Sequence, residues 1–331
     1  MKFLRIFVAL VLFAVVPTPA KSTQDGVLSF LVLGDWGGQS LWPFTTKGEV
    51  LCAQRMGTIA KQINSALVLA LGDNFYFFGI LTDVHDKRFN ETFENVFTAP
   101  SLQTPWYVVA GNHDWRGNVT AEVEYSKISP GSRWKFPSLY YVVKRTIPAT
   151  QATVVFVMVD TVVLCGILDE YSTEEELRGP LDKSAAEIHW HWLEKQLQMT
   201  ADAEYVIVAG HYPVWSVAEH GPTACLVDRL RPMLIKYKVN AYFSGHDHNL
   251  QHLRETNSTV EYFVSGAGHL INPSVEHEAS VPADSLRYRF SDEASMGGYA
   301  YVQARPENMT LVFADALNGK DLYRTTIKPR H

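Results

Sequence analysis

Hydrophobic residues along the chain occur as short runs separated by polar segments. Five of these runs share one pattern, in which an apolar stretch of strand length reaches a glycine and Asp, Asn or His follows directly. Short apolar runs that end at turn residues are typical of buried β-strands. We therefore predict these five strands at 27–35, 66–72, 105–110, 204–209 and in the run that ends at Gly245.

Helical periodicity appears between several of these strands. Apolar side chains recur on one face over 49–64, and we predict further helices at 185–199 and 225–238. The segment 74–104 is predicted to be loop and short helix. The segment 115–138 is rich in Trp, Gly, Ser and Pro, so we predict irregular structure there. Further predicted strands are 139–145, 153–160, 259–265, 299–304 and 309–314.

The alternation of strands and helices predicts an α/β fold. Open α/β sheets bind ligands beyond the carboxyl ends of their strands, and every reactive motif of this chain lies there. The later strands are less regularly separated by helices, which indicates a second sheet packed on the first. Of the 331 residues 47% are hydrophobic, and there is no internal repeat or long linker. We therefore expect residues 21–331 to form one domain.

The first twenty residues have the form of a secretory signal. Lys2 and Arg5 precede an apolar stretch, 6–16, and small residues follow it. That stretch is too short to span a bilayer, so we expect cleavage after Ala20. We expect the mature protein to lack a membrane span and to reach the lysosome or the extracellular space through the secretory pathway.

Charge and cysteine content agree with that route. The formal net charge is −6 at pH 7, and loss of the two cationic residues of the signal takes it to −8. Such a mildly acidic protein is not expected to bind nucleic acid. We pair Cys165 with Cys225, since each follows a predicted strand and its motif, and expect Cys52 to stay buried and unpaired. Some of the N-glycosylation triplets are expected to carry sugar: Asn90, Asn118, Asn257 and Asn308.

The polar side chains behind the strand ends are metal-ligand types. Asp, Asn and Tyr offer oxygens, and imidazole suits iron, zinc and similar metals. Paired metals lie roughly 3.5–4 Å apart, comparable to the ~4.8 Å between neighbouring strands. A phenol has a pKa of about 10, so Tyr76 favours Fe(III) as one ion. The candidates suit two ions that share Asp73: Asp35, Asp73, Tyr76, Asn112, His211, His246 and His248.

Five motifs span most of the chain in order: Gly34-Asp35-Trp36-Gly37-Gly38, Gly72-Asp73-Asn74-Phe75-Tyr76, Gly111-Asn112-His113-Asp114, Gly210-His211-Tyr212-Pro213 and Gly245-His246-Asp247-His248-Asn249. Together they resemble the purple acid phosphatases, and within them the small tartrate-resistant enzymes of animals. Related protein phosphatases and nucleases carry Asp-x-His in the first motif, where this chain has Gly37 and uses Tyr76 instead. The resemblance implies the metallophosphoesterase fold, a four-layer αββα sandwich of two packed mixed sheets flanked by helices.

The resemblance also implies an activity and a metal assignment. The activity is acid hydrolysis of phosphate monoesters by a metal-activated water or hydroxide. The implied ligands of Fe(III) are Asp35, Asp73, Tyr76 and His248. The implied ligands of the divalent ion are Asp73, Asn112, His211 and His246. The divalent ion is expected to be Fe(II), with Zn(II) or Mn(II) as alternatives.

Two further histidines match family residues that bind phosphate and protonate the leaving group, His113 and His220. Histidine is charged below its reference pKa of ~6.5, which is consistent with an acid optimum. Asp114 is a candidate to orient His113. His269 stands where relatives tend to have Asn and is either a neighbour of the ligands or structural. We interpret the remaining histidines as having no catalytic role. Two lie in a predicted helix, His189 and His191. Four are interpreted as surface residues: His85, His252, His277 and His331.

Several questions stay open at the level of sequence. The repressive loop of the family carries a Ser-Asp pair where this chain has Leu168 and Asp169, so repression and proteolytic activation by the segment 166–187 are undecided. The same ligands permit a redox role in which a divalent iron produces reactive oxygen species. A glycoprotein that binds metal or a partner without catalysis is the second alternative. We expect a monomer, and the substrate is open among phosphoproteins, nucleotides and aryl phosphates.

Overall fold

The computed structural model describes residues 26–128, 132–167 and 179–331. The predicted signal at 1–20 and the loop residue Asp169 lie outside these ranges. The strands, β1 to β14, are Leu28–Leu33, Leu67–Ala70, Trp106–Val108, Trp134–Lys135, Tyr141–Thr146, Thr153–Met158, Tyr205–Ala209, Ala241–Ser244, Leu250–Leu253, Glu261–Ser265, Leu286–Phe290, Gly298–Ala304, Met309–Asp315 and Asp321–Ile327. The α-helices, α1 to α6, are Lys47–Ile63, Asn112–Trp115, Val119–Ile128, Thr161–Cys165, Lys183–Gln198 and Arg231–Lys236. Short 3₁₀ or π turns occupy Phe89–Glu94, Pro100–Leu102, Leu226–Leu230, Glu278–Ser280 and Glu293–Ser295.

The described strands form two mixed sheets of seven strands each. The first has the order β14-β13-β12-β1-β2-β3-β4, in which β1 to β4 run parallel and β12 to β14 antiparallel. The second has the order β11-β9-β10-β8-β7-β6-β5, with a parallel centre of β6, β7, β8 and β10. This architecture confirms the predicted α/β sandwich of two packed sheets flanked by helices.

Strand β7 shows why the central strands are continuously hydrophobic. Successive side chains of a strand point to opposite faces. Tyr205, Ile207 and Ala209 belong to the core between the two sheets. Val206 and Val208 belong to a second core, in which α5 and α6 cover the outer face of the second sheet. Both faces are therefore buried, and such a strand has no polar face to expose.

Helix α1 covers the first sheet, where it contacts β1 and β12. Thr46 and Glu49 form a capping box at its start, with backbone-to-side-chain distances of 3.2 Å in both directions. Asn64 ends the helix in the left-handed conformation. Cys52 lies on its buried face and forms no disulfide among the described residues, as predicted. Met56 is fully buried on the same face.

Two parts of the secondary-structure prediction were wrong. The supposedly irregular segment 115–138 contains the short strand β4 and helix α3, whose buried face begins at Val119, Ala121 and Glu122. The helix has only about three turns and lies between Trp- and Gly-rich flanks, so too few residues repeat for the helical periodicity of apolar side chains to be recognised. The prediction also missed β9, β11 and β14. The last two are edge strands with mixed burial, so they lack a continuous apolar run.

Candidate metal centre

The candidate ligands follow strands whose carboxyl ends meet at one edge of the sandwich. Asp35, Asp73 and Asn112 come after β1, β2 and β3, respectively. His211 follows β7, and both His246 and His248 follow β8. The sheets are joined at this edge by backbone hydrogen bonds. The Gly34 N–H donates to the Ser265 carbonyl over 2.8 Å, and the Gly268 N–H donates to the Gly34 carbonyl over 3.1 Å. Side chains from both sheets therefore meet in one place.

Three of the candidate ligands adopt a left-handed backbone conformation. The φ angles are 56° at Asp35, 50° at Asp73 and 69° at His246. Such a conformation costs on the order of 1 kcal/mol for a residue other than glycine and is concentrated at functional sites. Glycines make room for the carboxylates. A Cβ at Gly245 would lie against the carboxylate of Asp35, and a Cβ at Gly111 against that of Asp73.

Asp35, Tyr76 and His248 form the first group of donor atoms. The Tyr76 hydroxyl lies 3.0 Å from Asp35 Oδ1 and 3.1 Å from His248 Nε2. His248 Nε2 lies 3.5 Å from Asp35 Oδ1. Two ligands that each lie about 2.1 Å from an ion, at right angles to one another, are about 3 Å apart. The three donor atoms therefore have the spacing of ligands around one ion.

Asp73, Asn112, His211 and His246 form the second group. His211 Nε2 lies 3.0 Å from Asn112 Oδ1 and 3.4 Å from Asp73 Oδ2. One donor atom from each of Asp73, His211 and His246 lies within 4.8 Å of the other two. Within the described ranges the buried Nε2 of His246 has no hydrogen-bond partner. A buried polar atom left unsatisfied costs about 1–3 kcal/mol, and a metal ion at this position removes that cost.

Asp73 belongs to both groups. Its Oδ2 lies 3.4 Å from His211 Nε2 in the second group. Its charge also raises the pKa of the Tyr76 phenol in the first group. Burial opposes its ionisation, but the imidazoles of His211 and His113 outweigh burial and hold the pKa of Asp73 well below its ordinary value. Asp73 therefore lies between the two groups as a charged, buried carboxylate.

The electrostatics of the site favour a bound cation. Burial raises the pKa of the Tyr76 phenol well above its ordinary value, and Asp35 and Asp73 raise it further. A phenolate is stable here only if positive charge compensates the two carboxylates. Burial opposes protonation of His211, yet the carboxylate of Asp73 raises the pKa of His211 to about 10. A field that holds a proton on buried His211 also attracts a metal ion, so the residues present fit a metal centre.

Backbone carbonyls set the tautomers of two histidines. Nδ1–H of His211 donates to the Leu71 carbonyl over 2.9 Å, which leaves Nε2 as the ligand atom. Nδ1–H of His113 donates to the Phe77 carbonyl over 2.8 Å. His113 Nε2 then points into the centre, 3.8 Å from Asp73 Oδ2. Both imidazoles thus present the same nitrogen to the site.

His220 lies on the side of the second donor group. Its ring stacks on that of His246 with 4.2 Å between centroids and an angle of 23°. Its backbone N–H donates to Asp247 Oδ1 over 3.0 Å, which anchors the loop that carries it. His113 lies beside the first group, with its ring 4.6 Å from that of Tyr76. The two candidate catalytic histidines therefore flank different donor groups.

Asp114 has contacts other than the predicted one with His113. Its carboxylate accepts the backbone N–H groups of Gly111, Asn74 and Phe75 over 2.8, 3.0 and 3.1 Å. It therefore ties together the two loops that follow β2 and β3. Burial and the nearby Asp73 charge raise the pKa of Asp114 to about 7.

Two neighbours of the ligands were missed or left undecided by sequence reasoning. Arg88 is buried and donates to the carbonyls of Tyr76 and Gly37 over 2.8 and 2.7 Å. It therefore links the loop after β2, which carries Tyr76, to the loop after β1, which carries Asp35. A single arginine in a polar segment gives no signal of such a role. His269 donates from Nδ1 to the Asp35 carbonyl over 2.8 Å and lies against the Tyr76 ring. It is a neighbour of the ligands.

Other predicted residues lie away from the centre. Cys165 and Cys225 form a disulfide. His252, which we interpreted as a surface residue, is buried and lies 2.7 Å from Glu261. Its partner is remote from any motif, so sequence reasoning had no basis for its burial. The candidate glycosylation sites are exposed or half-buried: Asn90, Asn118, Asn257 and Asn308.

Comparison with known proteins decides the family. A family model for the calcineurin-like phosphoesterases matches residues 28–250. Tartrate-resistant acid phosphatase type 5 of Homo sapiens is 47% identical over 313 residues, which cover 93% of this chain and 94% of that protein. The Mus musculus enzyme is 45% identical over 98% of this chain and 95% of its own length. Purple acid phosphatase 17 of Arabidopsis thaliana is 36% identical over 76% of this chain and 70% of its own length. The chain belongs to the purple acid phosphatases. It is an acid phosphatase, and the family implies a binuclear metal centre.

Structural comparison supports the same fold for this purple acid phosphatase. Purple acid phosphatase PPD1 from yellow lupin seeds superposes with a TM-score of 0.63 at 17% identity, covering 92% of this chain and 54% of that one. GAP50, the anchor in the inner membrane complex of Plasmodium, gives 0.77 at 22% identity, with 93% and 90% covered. These likenesses concern the fold alone. Every helix within 26–128, 132–167 and 179–331 is too short or too polar to cross a bilayer.

Proposed function

We propose that this acid phosphatase hydrolyses phosphate monoesters at a centre of two metal ions that share Asp73. The observation that carries the proposal is the position of this carboxylate, 3.4 Å from His211 Nε2 in one donor group and close enough to Tyr76 in the other to raise the pKa of its phenol. The proposed ligands are Asp35, Asp73, Tyr76 and His248 for Fe(III), and Asp73, Asn112, His211 and His246 for a divalent ion. We propose Fe(II) as the divalent ion, with Zn(II) or Mn(II) as alternatives.

The bound ions supply Lewis acidity, which activates water for attack and neutralises charge on the phosphate. The protein contributes a rigid and mostly buried set of donors. The left-handed turns are held by hydrogen bonds: the Asp35 N–H donates to the Gly72 carbonyl over 3.0 Å, and the His246 N–H donates to Asp35 Oδ2 over 2.8 Å. Preorganised donors need little rearrangement when substrate binds, which favours the transition state over the free substrate.

His113 is proposed as the general acid. Its Nδ1–H is engaged by the Phe77 carbonyl, so the proton available to substrate is the one on Nε2 of the imidazolium. Nε2 faces the centre beside Asp73. From there it donates to the oxygen of the departing alcohol. His220, stacked on His246, is proposed to bind a phosphate oxygen and to assist the proton transfer.

The location of the protein is also a proposal. We propose that residues 1–20 direct the chain into the secretory pathway, and that 21–331 form the single catalytic domain. The disulfide between Cys165 and Cys225 supports an oxidising compartment. The destination is proposed as the lysosome or the extracellular space.

The proposed activity is tested by assaying the purified native protein on p-nitrophenyl phosphate and glycerol 2-phosphate from pH 4 to 8. We expect hydrolysis of both esters with an acid optimum. Removal of the metals by reduction and chelation is expected to abolish it, and reconstitution with iron to restore it. Activity that survives complete metal removal, or absence of activity at every pH, would contradict the proposal.

A further inference from the structure

A cluster of exposed hydrophobic side chains lies beside the metal centre. We call it the aromatic shelf and define it as Leu41, Trp42, Phe77, Phe78 and Leu81. Their exposed fractions are 76, 82, 45, 49 and 71%. Single exposed hydrophobic residues are common, but a contiguous group of this size usually marks a binding surface.

The shelf is assembled from two loops, one after β1 and one after β2. The backbone N–H of Phe77 donates to the Ser40 hydroxyl over 2.7 Å and so links the loops. Leu41, Trp42, Phe78 and Leu81 line the same cavity of about 630 Å³. These four side chains therefore lie around one concave surface, and Phe77 is joined to it through Ser40, which also lines the cavity.

Phe77 connects this surface to the proposed acid. It directly follows the candidate ligand Tyr76, and its ring lies 5.4 Å from the ring of Tyr76 and 5.7 Å from that of His113. Its carbonyl accepts the hydrogen bond that orients the His113 imidazole. The shelf therefore begins where the oxygen of the leaving alcohol would be protonated.

We propose that the aromatic shelf binds the apolar part of the alcohol in a phosphate monoester, and so selects aryl phosphates larger than a single ring. This inference rests on the proposed function, because it takes the phosphate to be at the metals. An alcohol released at His113 Nε2 leaves beside the ring of Phe77, which is the shelf residue next to the proposed acid. Aromatic rings favour such contacts with flat apolar groups.

The test compares phenyl, 2-naphthyl and 4-biphenylyl phosphates, whose phenols have similar acidity, with glycerol 2-phosphate as the polar reference. The metal-loaded native protein is compared with Trp42→Ala and Phe78→Ala. Both side chains are exposed, and neither is a candidate ligand or a proposed catalytic residue. Met199→Ala is the matched control, because Met199 is 71% exposed at the end of α5, outside the shelf.

In the native protein, kcat/KM is expected to rise from phenyl to biphenylyl phosphate. Each shelf variant should lower the ratio of kcat/KM for biphenylyl to glycerol phosphate about tenfold, mainly through KM, since one aromatic contact contributes roughly that factor. Met199→Ala should leave this ratio unchanged. A ratio that both shelf variants leave unchanged, or an equal loss on every ester, would overturn the inference.

Further measurements separate failure of this inference from failure of the proposed function. If the native protein hydrolyses none of the esters, the proposed function fails. Calorimetric binding of 4-biphenylmethyl phosphonate then tests the shelf directly, with about tenfold weaker binding expected in Phe78→Ala and unchanged binding counting against it. Two results would overturn the inference in favour of another occupant, if Trp42→Ala abolishes them while leaving the ratio of kcat/KM for biphenylyl to glycerol phosphate unchanged. Sedimentation with phosphatidylcholine vesicles would assign the shelf to lipid, and self-association would assign it to a second copy of the chain.

Discussion

The imidazole of His113 is fixed by the backbone of Phe77, whose carbonyl oxygen accepts the Nδ1–H over 2.8 Å. The ring can therefore exchange a proton with substrate only through Nε2, which lies 3.8 Å from Asp73 Oδ2. The same residue that carries this carbonyl also begins the aromatic shelf. The proposed acid catalysis and the proposed choice of leaving group are thus linked through one residue of the loop after β2.

A general acid matters most when the leaving alcohol is a poor leaving group. We predict that His113→Ala lowers kcat on glycerol 2-phosphate about 100-fold or more. On p-nitrophenyl phosphate the fold-loss in kcat should be at least ten times smaller. The nitrophenolate departs readily without a proton. Steady-state kinetics near the acid optimum check this. Equal losses on both esters would show that His113 binds phosphate and does not protonate the alcohol.

Arg88 is predicted to be essential for stability as well as for the geometry of the ligand loops. Arg88→Met removes hydrogen bonds to the carbonyls of Tyr76 and Gly37 and to the Thr92 hydroxyl. Loss of three buried hydrogen bonds is expected to lower the free energy of unfolding by about 3–5 kcal/mol. Denaturant unfolding with the disulfide intact measures this change.

A matched control for Arg88 lies on the surface. Arg229 pairs with Glu187, and both side chains are substantially exposed. Arg229→Met is therefore expected to leave the free energy of unfolding nearly unchanged. Similar losses in the two variants would contradict the proposed difference between a buried clamp and an exposed ion pair.

His189 is predicted to limit stability in acid. It is buried in α5 and stacks on Tyr140 with 3.9 Å between ring centroids, and its ring nitrogens have no hydrogen-bond partner in the described part of the chain. Burial lowers the pKa of His189 to about 3. His189 takes up a proton near pH 6.5 in the unfolded chain but not in the folded one. The contribution of neutral His189 to the free energy of unfolding is therefore complete above pH ~6.5 and is lost as pH falls toward about 3.

His189→Phe keeps the stack on Tyr140 and removes the titration. The difference in free energy of unfolding between variant and native protein is expected to shift in favour of the variant by roughly 2 kcal/mol between pH 7 and pH 5. Met199→Phe, at an exposed position at the end of the same helix, removes no titrating group and should show no such pH dependence. A difference that stays constant with pH in His189→Phe would refute the prediction.

The sequence predicted the candidate centre better than it predicted the edges of the fold. An apolar run, a glycine and a ligand-type side chain recur at β1, β2, β3, β7 and β8, because buried parallel strands and left-handed turns restrict the residues allowed. Edge strand β14 has no comparable restriction. Its side chains are mostly exposed or half-buried, so it shows no apolar run. Helix α3 is similarly short and sits between flanks typical of loops.

Contacts between distant segments explain the remaining misses. Arg88 binds backbone carbonyls, which every residue offers, so its partners leave no pattern in the sequence. His252 is buried because Glu261 and Tyr323 meet it from neighbouring elements. Asp114 was expected to contact the adjacent His113, yet the turn directs its carboxylate at the backbone of Asn74 and Phe75. Such pairings follow from tertiary packing alone.

The proposed ligand role of Tyr76 is tested most directly by metal analysis and the visible spectrum of the purified native protein beside Tyr76→Phe. Tyr205→Phe is the control, a buried phenol elsewhere in β7. The account predicts about two metal ions per chain, one of them ferric, and a visible phenolate-to-iron band that Tyr76→Phe abolishes and Tyr205→Phe retains. A visible band that persists unchanged in Tyr76→Phe, or a native protein with one metal ion or none, would contradict it.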